Sequence, residues 1–354
     1  MRIGAVLATS IELLEKIINT QISAKLIIRN YINENKFIGS KDKKLIYQVL
    51  FDTLKKYSNL EGICKKNNLS TKYRNLILLY FFNKNKNKNL SDIYEGIYSL
   101  KETSEDKLVF AIAININDEI MPKFPKWIEK KISYEIMHKL SPLYKSILRE
   151  PRFDVAINAL NYKRSKIIEL FKNEKISTKL TKCSPYGITL DSRIPKYNIS
   201  KIKKNFFEVQ DEGSQIVTLL IKPTKGKKIL DLCAGKGTKT IFMHNVFVNN
   251  EKIYAYDKDQ SRLSKLKRRA EDLNLKNIKI LTDIEAYKNC FDFVICDVPC
   301  SGTGIWRRRP EDIIKLNKTN LRLLLEKQKK ILESARKLCR KDGEIIYITC
   351  SLIS

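Results

Sequence analysis

The spacing of hydrophobic residues changes along the chain. In residues 1–142 they recur at helical intervals, as at Ile11, Leu14, Ile17 and Ile18. Turn residues are scarce in this part, so the pattern predicts a helical bundle. It includes a buried helix at 108–114, "LVFAIAI", and a solvated lysine–asparagine loop at 83–90.

Residues 143–215 and 216–354 differ from this bundle and from each other. The first range mixes short strand patterns with one helix pattern, which predicts a small α/β unit. The second alternates strand and helix, which predicts a parallel, doubly wound, Rossmann-like sheet. The chain is therefore predicted to be multidomain, with boundaries near residues 142 and 215.

Acidic residues lie at or near the ends of several predicted strands of the third domain. In such sheets, ligands bind beyond the carboxyl ends of the strands. Asp231, Asp257 and Asp297 occupy such ends, and Cys350 ends the last strand. The sequence therefore predicts a ligand site at this edge.

The stretch "DLCAGKGTKT" (231–240) runs from a strand through a glycine turn into a helix. Gly235 and Gly237 let the backbone approach a ligand closely, and the helix start offers free N–H groups. With Asp257 some 20 residues later for ribose hydroxyls, this motif fits a nicotinamide enzyme or a methyltransferase equally well.

The charge favours a polyanionic partner. The sequence has 68 Lys plus Arg against 39 Asp plus Glu, a formal net charge of +29. Such a balance is typical of nucleic-acid binding. The same lysine- and asparagine-rich usage also follows from an AT-rich genome, so the charge supports RNA binding without establishing it.

The cysteine and apolar patterns bear on metal binding, membrane insertion and the cellular compartment. Eight cysteines and two histidines occur without metal-ligand spacing, so no metal site is predicted. The sequence has no signal peptide and no apolar run long enough to span a membrane. We expect a reduced, cytoplasmic protein and a monomer.

Two cysteines indicate a specific chemistry. Cys300 follows the strand that ends at Asp297, in "DVPCSGTG", and Cys350 ends the strand "GEIIYITC". A dehydrogenase has no use for two thiols beyond neighbouring strands, whereas a pyrimidine C5-methyltransferase does. A thiolate added to C6 makes C5 nucleophilic towards a methyl sulfonium, and Asp297 suits stabilisation of charge at N3. The target base must leave its stack to be reached.

These segments, with "WRRRPED" and "FFEVQDEGSQ", resemble the Sun family of RNA cytosine-5 methyltransferases. The resemblance implies a NusB-like RNA-binding domain at 1–142 and a small RNA-binding subdomain at 143–215. It implies an S-adenosylmethionine-dependent methyltransferase domain at 216–354. The implied substrate is 16S ribosomal RNA, and the implied product is 5-methylcytosine.

The resemblance also implies residue roles. Cys350 would be the nucleophile, Cys300 would assist product release, and Asp297 would contact both cytosine and methyl donor. Arg307, Arg308 and Arg309 would meet RNA phosphate, although they also suit a solvated turn. Lys239 likewise suits a surface position at a helix start. The implied cofactor residues are Cys233, Ala234, Gly235, Lys236, Gly237, Thr238, Lys239, Asp257, Asp283 and Asp297.

The sequence departs from the family pattern at two places. Gly235-Lys236-Gly237-Thr238 stands where the family has Ala-Pro-Gly-Gly, which alters the donor loop. Only four residues follow "TC", where the family continues with a helix and two strands. We therefore expect a domain lacking its last strands, with the Cys350 strand as an apolar edge. The alternative function is an RNA-binding protein that has lost catalysis.

Overall fold

The computed structural model describes residues 1–132, 134–191, 205–223, 226–247 and 252–353. The chain forms two compact units, and neither is continuous in sequence. The helical unit comprises 1–150, 301–321 and 350–354, and the sheet unit comprises 151–300 and 322–349. The division into 1–142, 143–215 and 216–354 follows chain order instead and stays a prediction.

Eight helices form the first part of the helical unit as described. They are α1 (Ile3–Asn19), α2 (Ala24–Glu34), α3 (Ser40–Lys66), α4 (Tyr73–Lys84), α5 (Asp106–Asn115), α6 (Lys126–Glu129), α7 (Tyr134–Met137) and α8 (Leu140–Leu148). A short 3-10 turn spans Leu90–Ile93. The apolar stripes of α1 to α5 meet in one core, as helical periodicity predicts.

Most of the 83–90 segment is exposed, as predicted, but its first residue is buried. Helix α4 continues to Lys84, and Asn83 is 9 % exposed. The Asn83 side chain donates to the carbonyl of Ile116 at 3.2 Å and accepts from the amide of Ile120 at 3.3 Å. A buried amide whose hydrogen bonds are satisfied by backbone groups is stable in a core. The lysine- and asparagine-rich composition therefore wrongly indicates a solvated position for Asn83.

The sheet unit begins with a small antiparallel sheet. Its strands are β1 (Phe153–Ile157), β2 (Thr178–Leu180), β3 (Gly187–Leu190) and β4 (Phe207–Val209), in the order β2-β3-β1-β4. Helix α9 (Arg164–Asn173) packs its apolar face on this sheet, and α10 (Glu212–Leu219) follows β4. Phe207 is 1 % exposed and belongs to the core, as the strand pattern favours. Residues 203–204, at the start of the segment "KKNFFEVQDEGSQ" (203–215), lie outside the described ranges.

The second sheet is parallel, as predicted. Its strands are β5 (Lys228–Asp231), β6 (Lys252–Ala255), β7 (Ile278–Ile280), β8 (Phe291–Asp297) and β9 (Cys339–Ile348). Their order is β7-β6-β5-β8-β9, so β9 lies at one edge of the described sheet. The helices are α11 (Thr238–Val246), α12 (Gln260–Asp272), α13 (Pro310–Lys315) and α14 (Lys318–Leu338), of which α13 is grouped with the helical unit.

Strand β9 is longer than the sequence predicts. The predicted strand "GEIIYITC" runs from Gly343 to Cys350, yet β9 starts at Cys339, directly after α14, and ends at Ile348. Cys339 pairs with Phe291, and the register of β8 with β9 shifts between Phe291 and Phe293. Such an irregularity absorbs extra residues in one strand, which strand propensity does not reveal.

Candidate active site

The predicted acids lie at one edge of the parallel sheet. Asp231 is the last residue of β5, Asp297 is the last residue of β8, and Asp257 follows β6 by two residues. Parallel pairing of β5 with β6 and with β8 brings these strand ends side by side. The prediction of a common edge is therefore confirmed for these three carboxylates.

Asp231 is a fully enclosed carboxyl beneath this edge. It is 1 % exposed, and burial raises its pKa to about 6, against the effect of a hydrogen bond from Thr240. The Thr240 hydroxyl donates to Oδ2 of Asp231 at 2.7 Å and ties α11 to β5. The sequence does not indicate this role of Thr240, because its only signal there is a small hydroxyl residue in the first turn of a helix.

The glycine loop after β5 is held by backbone contacts. Gly235 and Gly237 have φ values of +56° and +79°, in the left-handed region that favours glycine. The amide of Gly235 donates to Oδ2 of Asp257 at 2.8 Å, and the amide of Asp259 donates to Oδ1 at 2.8 Å. The chain then enters α11 directly after Gly237.

A half-buried ion pair connects the helix that follows the loop with strand β8. The Lys239 ammonium lies 2.6 Å from Oδ2 of Asp297, and the Lys239 side chain is 12 % exposed. Lys239 is therefore not the solvated helix-start residue that the sequence left open. An ammonium at this distance fixes the orientation of the Asp297 carboxylate.

Arg269, on α12, contacts the glycine loop. Its guanidinium donates to the carbonyl of Lys236 and to Oε2 of Glu208, the latter at 2.6 Å. Glu208 lies on β4, so one arginine links the loop to the small sheet. This role cannot be predicted from the sequence, because Arg269 is one of many basic residues on an amphipathic helix.

The other predicted cofactor residues differ in their burial and in their contacts. Burial raises the pKa of the half-buried Cys233 thiol, so Cys233 is suited to lining a site as a neutral group. Asp283 is exposed, and one of its carboxylate oxygens accepts from the amide of Glu285 at 3.0 Å. Ala234 lies in the loop between β5 and α11, and Thr238 is the first residue of α11.

Each predicted catalytic cysteine follows the end of a strand. Asp297 pairs with Ile348 in the register of β8 with β9. Cys300 lies three positions beyond Asp297, and Cys350 lies two positions beyond Ile348. Cys300 belongs to the sheet unit and is half-buried, whereas Cys350 is grouped with the helical unit and is exposed.

The three arginines lie between these cysteines in sequence, within the helical unit. Arg307 and Arg308 are half-buried, and Arg309 is exposed. The Arg309 guanidinium contacts both carboxylate oxygens of Asp312, at 2.9 and 3.0 Å. Arg309 therefore forms an ion pair with the first turn of α13.

Comparison with known proteins fits this geometry. The family described as 16S rRNA methyltransferase RsmB/F matches residues 218–354. This part of the chain is similar to the RsmB/F methyltransferases. Among curated relatives, the ribosomal RNA small subunit methyltransferase B of Photorhabdus laumondii is 27% identical over 65% of this chain. That of Proteus mirabilis is 24% identical over 90%. The first alignment spans 54% of its relative, about half its length, and the second spans 82%.

Solved structures support the fold. The crystal structure of PH0851 has a TM-score of 0.71 and 18% identity, covering 99% of this chain and 86% of that one. NSun6 from Pyrococcus horikoshii, solved with SFG, has a TM-score of 0.54 and 18% identity, covering 64% of this chain and 83% of that one. Among the described residues, no helix is long and apolar enough to cross a membrane.

RsmB/F methyltransferases use S-adenosylmethionine as methyl donor, and the donor loop of this chain fits it. A Cβ placed on Gly235 would meet no atom closer than Oδ2 of Asp257 at 3.9 Å, so the loop leaves space on that side. The Asp257 carboxylate lies beyond the carboxyl end of β6, and the N-terminus of α11 comes directly after the loop. The change from Pro and Gly to Lys236 and Thr238 thus preserves a loop with two left-handed glycines.

Proposed function

We propose that this chain methylates C5 of cytosine in 16S ribosomal RNA through a covalent bond between Cys350 and C6. The observation that carries the proposal is the register of β8 with β9. Because of this register, the segments that carry Cys300 and Cys350 both begin at the ends of neighbouring parallel strands. Asp231 lies on β5, the strand on the other side of β8.

The residues divide the chemistry among them. The Cys350 thiolate forms a bond to C6, and Asp297, held by Lys239, stabilises the charge that develops at N3. When bound, S-adenosylmethionine supplies a methyl group on a sulfonium sulfur, which C5 accepts. Loss of the C5 proton then lets the S–C6 bond break and returns the thiolate, a release that Cys300 assists.

The loop geometry supports part of the proposed cofactor site. Asp257 would hold the ribose hydroxyls, Asp283 would lie near the adenine, and Cys233 to Lys239 would surround the donor. Each carboxylate oxygen of Asp257 accepts one backbone amide, from Gly235 or from Asp259. Each oxygen keeps a further lone pair that can accept from a ribose hydroxyl. These assignments predict that Asp257→Ala weakens cofactor binding.

RNA contacts would come from the basic segments. Arg307, Arg308 and Arg309 would meet phosphate, supported by their partial exposure. The residues 1–142 would act as a NusB-like RNA-binding domain and 143–215 as a small RNA-binding subdomain. In the latter, Phe206 is half-buried, and its ring centroid lies 4.8 Å from that of Tyr162.

Trapping an adduct tests the proposal. The protein is incubated with S-adenosylmethionine and 16S ribosomal RNA that contains 5-azacytidine, and covalent complexes are separated under denaturing conditions. We expect an adduct with the wild type, none with Cys350→Ser, and persistent adducts with unsubstituted RNA for Cys300→Ala.

Cys183→Ser is the matched control, because Cys183 is exposed and lies between β2 and β3 of the small sheet. It should form the adduct at the wild-type rate. RNA binding without any adduct would instead support the alternative, an RNA-binding protein without catalysis. An adduct that survives in Cys350→Ser would refute the role of this cysteine.

A further inference from the structure

The segment that follows Cys300 is built into the helical unit. We call residues 301–321 the anchor segment; it contains the 3-10 turn Thr303–Ile305 and α13. The exposed Cys350 and the residues after it are grouped with the same unit. The backbone around Cys350 can therefore be held by the anchor segment.

Buried contacts fix the anchor segment to the helices. Trp306 is 2 % exposed, and its ring centroid lies 4.3 Å from that of Phe124 and 6.2 Å from that of Tyr144. Glu311 is also 2 % exposed, and its Oε1 accepts from the amide of Ala24, the first residue of α2, at 3.1 Å. An aromatic cluster and a carboxylate at a helix N-terminus both resist displacement.

Three hydrogen bonds connect the anchor segment to Cys350 and the two residues after it. The amide of Gly304 donates to the carbonyl of Cys350 at 2.8 Å. The amide of Leu352 donates to Oγ1 of Thr303 at 2.7 Å, and the hydroxyls of Ser301 and Ser351 lie 2.7 Å apart. Cys350 is thus fixed on its own carbonyl and at the next two residues.

Gly304 also approaches Cys350 too closely for any side chain. A Cβ at Gly304 would lie 2.7 Å from the Cys350 carbonyl oxygen and 3.3 Å from its carbonyl carbon. Gly304 has no left-handed φ. An alanine would therefore be strained by this contact and not by its own backbone conformation.

We propose that Gly304 is a positioning residue for Cys350. Its amide and its missing side chain set the Cys350 backbone, and Trp306 and Glu311 hold Gly304 in place from the helical unit. The proposal rests on the proposed role of Cys350 as nucleophile. It assigns the helices a part in the covalent step in addition to any part in RNA binding.

Gly304→Ala tests this directly. Single-turnover methyl transfer and adduct formation should slow by about 10- to 100-fold, because a nucleophile displaced by about 1 Å loses its attack geometry. Affinities for S-adenosylmethionine and for 16S ribosomal RNA should stay within about twofold of the wild type, since positioning acts on chemistry rather than on binding. The control is Gly62→Ala in α3, where a Cβ would meet nothing within 4 Å.

Thr303 provides a second pair of variants, should Gly304→Ala fold poorly. Thr303→Val removes the acceptor for the Leu352 amide while keeping the side-chain shape, and should slow adduct formation. Thr303→Ser keeps the hydroxyl and should restore the rate, a rescue that a purely packing role of this buried residue would not produce.

The outcomes separate the two proposals. Wild-type adduct rates in Gly304→Ala and Thr303→Val, with Cys350→Ser inactive, would overturn the positioning role and leave the proposed function standing. Methyl transfer by Cys350→Ser would overturn the proposed function and this inference with it. Slower adduct formation with equally weakened RNA binding would also overturn positioning.

Discussion

Neighbouring glycines in the donor loop are constrained in different ways. Gly235 and Gly237 both have left-handed φ values, but their surroundings differ. A Cβ on Gly237 would lie 2.0 Å from Cδ1 of the buried Leu266 in α12, whereas one on Gly235 has space. The sequence motif shows two equivalent glycines, and only packing distinguishes them.

This difference gives a prediction for two alanine variants. Gly235→Ala should lower the free energy of unfolding by about 1 kcal/mol, the cost of a left-handed alanine. Gly237→Ala adds overpacking against Leu266 and should cost about 1 to 3 kcal/mol more. Urea denaturation of both variants beside the wild type measures the gap, and equal losses would contradict the packing argument.

Lys239 shows why residue roles were only partly predictable. Its position after the glycine loop was readable, but its partner Asp297 lies 58 residues further on. Spacing within a motif cannot reveal a contact made by another strand. The acids were easier to place, because strand ends in a parallel sheet share an edge whatever the side chains do.

At the scale of elements, Glu212 connects the small sheet to α10. Its Oε1 accepts from the amides of Cys183 and Ser184, at 2.6 and 3.2 Å, and its Oε2 contacts Arg152. Burial would raise the pKa of Glu212, but these hydrogen bonds outweigh it and lower the pKa below its ordinary value. The glutamate of the motif "QDEGSQ" therefore stabilises the contact between α10 and the small sheet.

We predict that Glu212→Gln lowers the free energy of unfolding by about 2 kcal/mol at pH 7, because charged hydrogen bonds are lost. A depressed carboxyl pKa stabilises the fold above the unfolded-state value of 4.5, and this stability is lost as pH falls below it. The gap between variant and wild type should hold from pH 7 to about pH 5 and narrow below, in urea denaturation.

Glu169→Gln in α9 is the matched control. Glu169 pairs with Lys166 three residues earlier, and both side chains are more than half exposed. Its loss should change stability by no more than about 0.5 kcal/mol at any pH. A gap for Glu212→Gln that stays constant down to pH 3.5 would contradict the charge-based explanation.

Element order was largely predictable, and its exceptions have clear causes. Alternating strand and helix patterns are strong over the parallel sheet, because its strands are buried on both faces. The start of β9 at Cys339 and the burial of Asn83 depend on tertiary partners instead. So does the grouping of the anchor segment with the helices, which rests on Trp306 meeting Phe124 across almost 200 residues of sequence.

For the whole molecule, the net charge of +29 is the dominant feature. If the charge serves RNA binding, affinity for 16S ribosomal RNA must fall steeply with salt, because bound cations are released from the phosphates. With about four phosphates contacted as single strands, the loss from 50 to 200 mM salt is roughly 50-fold.

Filter binding at both salt concentrations measures this loss. Cofactor affinity, measured alongside by calorimetry, controls for any general effect of salt on the fold. An RNA affinity that hardly changes with salt would indicate that the basic composition reflects codon usage and not a phosphate-binding surface.

The discontinuous helical unit also has a consequence for synthesis. Residues 1–150 leave the ribosome long before the anchor segment exists, so the amide of Ala24 must wait 287 residues for the carboxylate of Glu311. Contacts of such separation form late and close large loops. The bundle must therefore be stable enough to persist in an unfinished form, and the backbone around Cys350 takes its final position only when translation of this region ends.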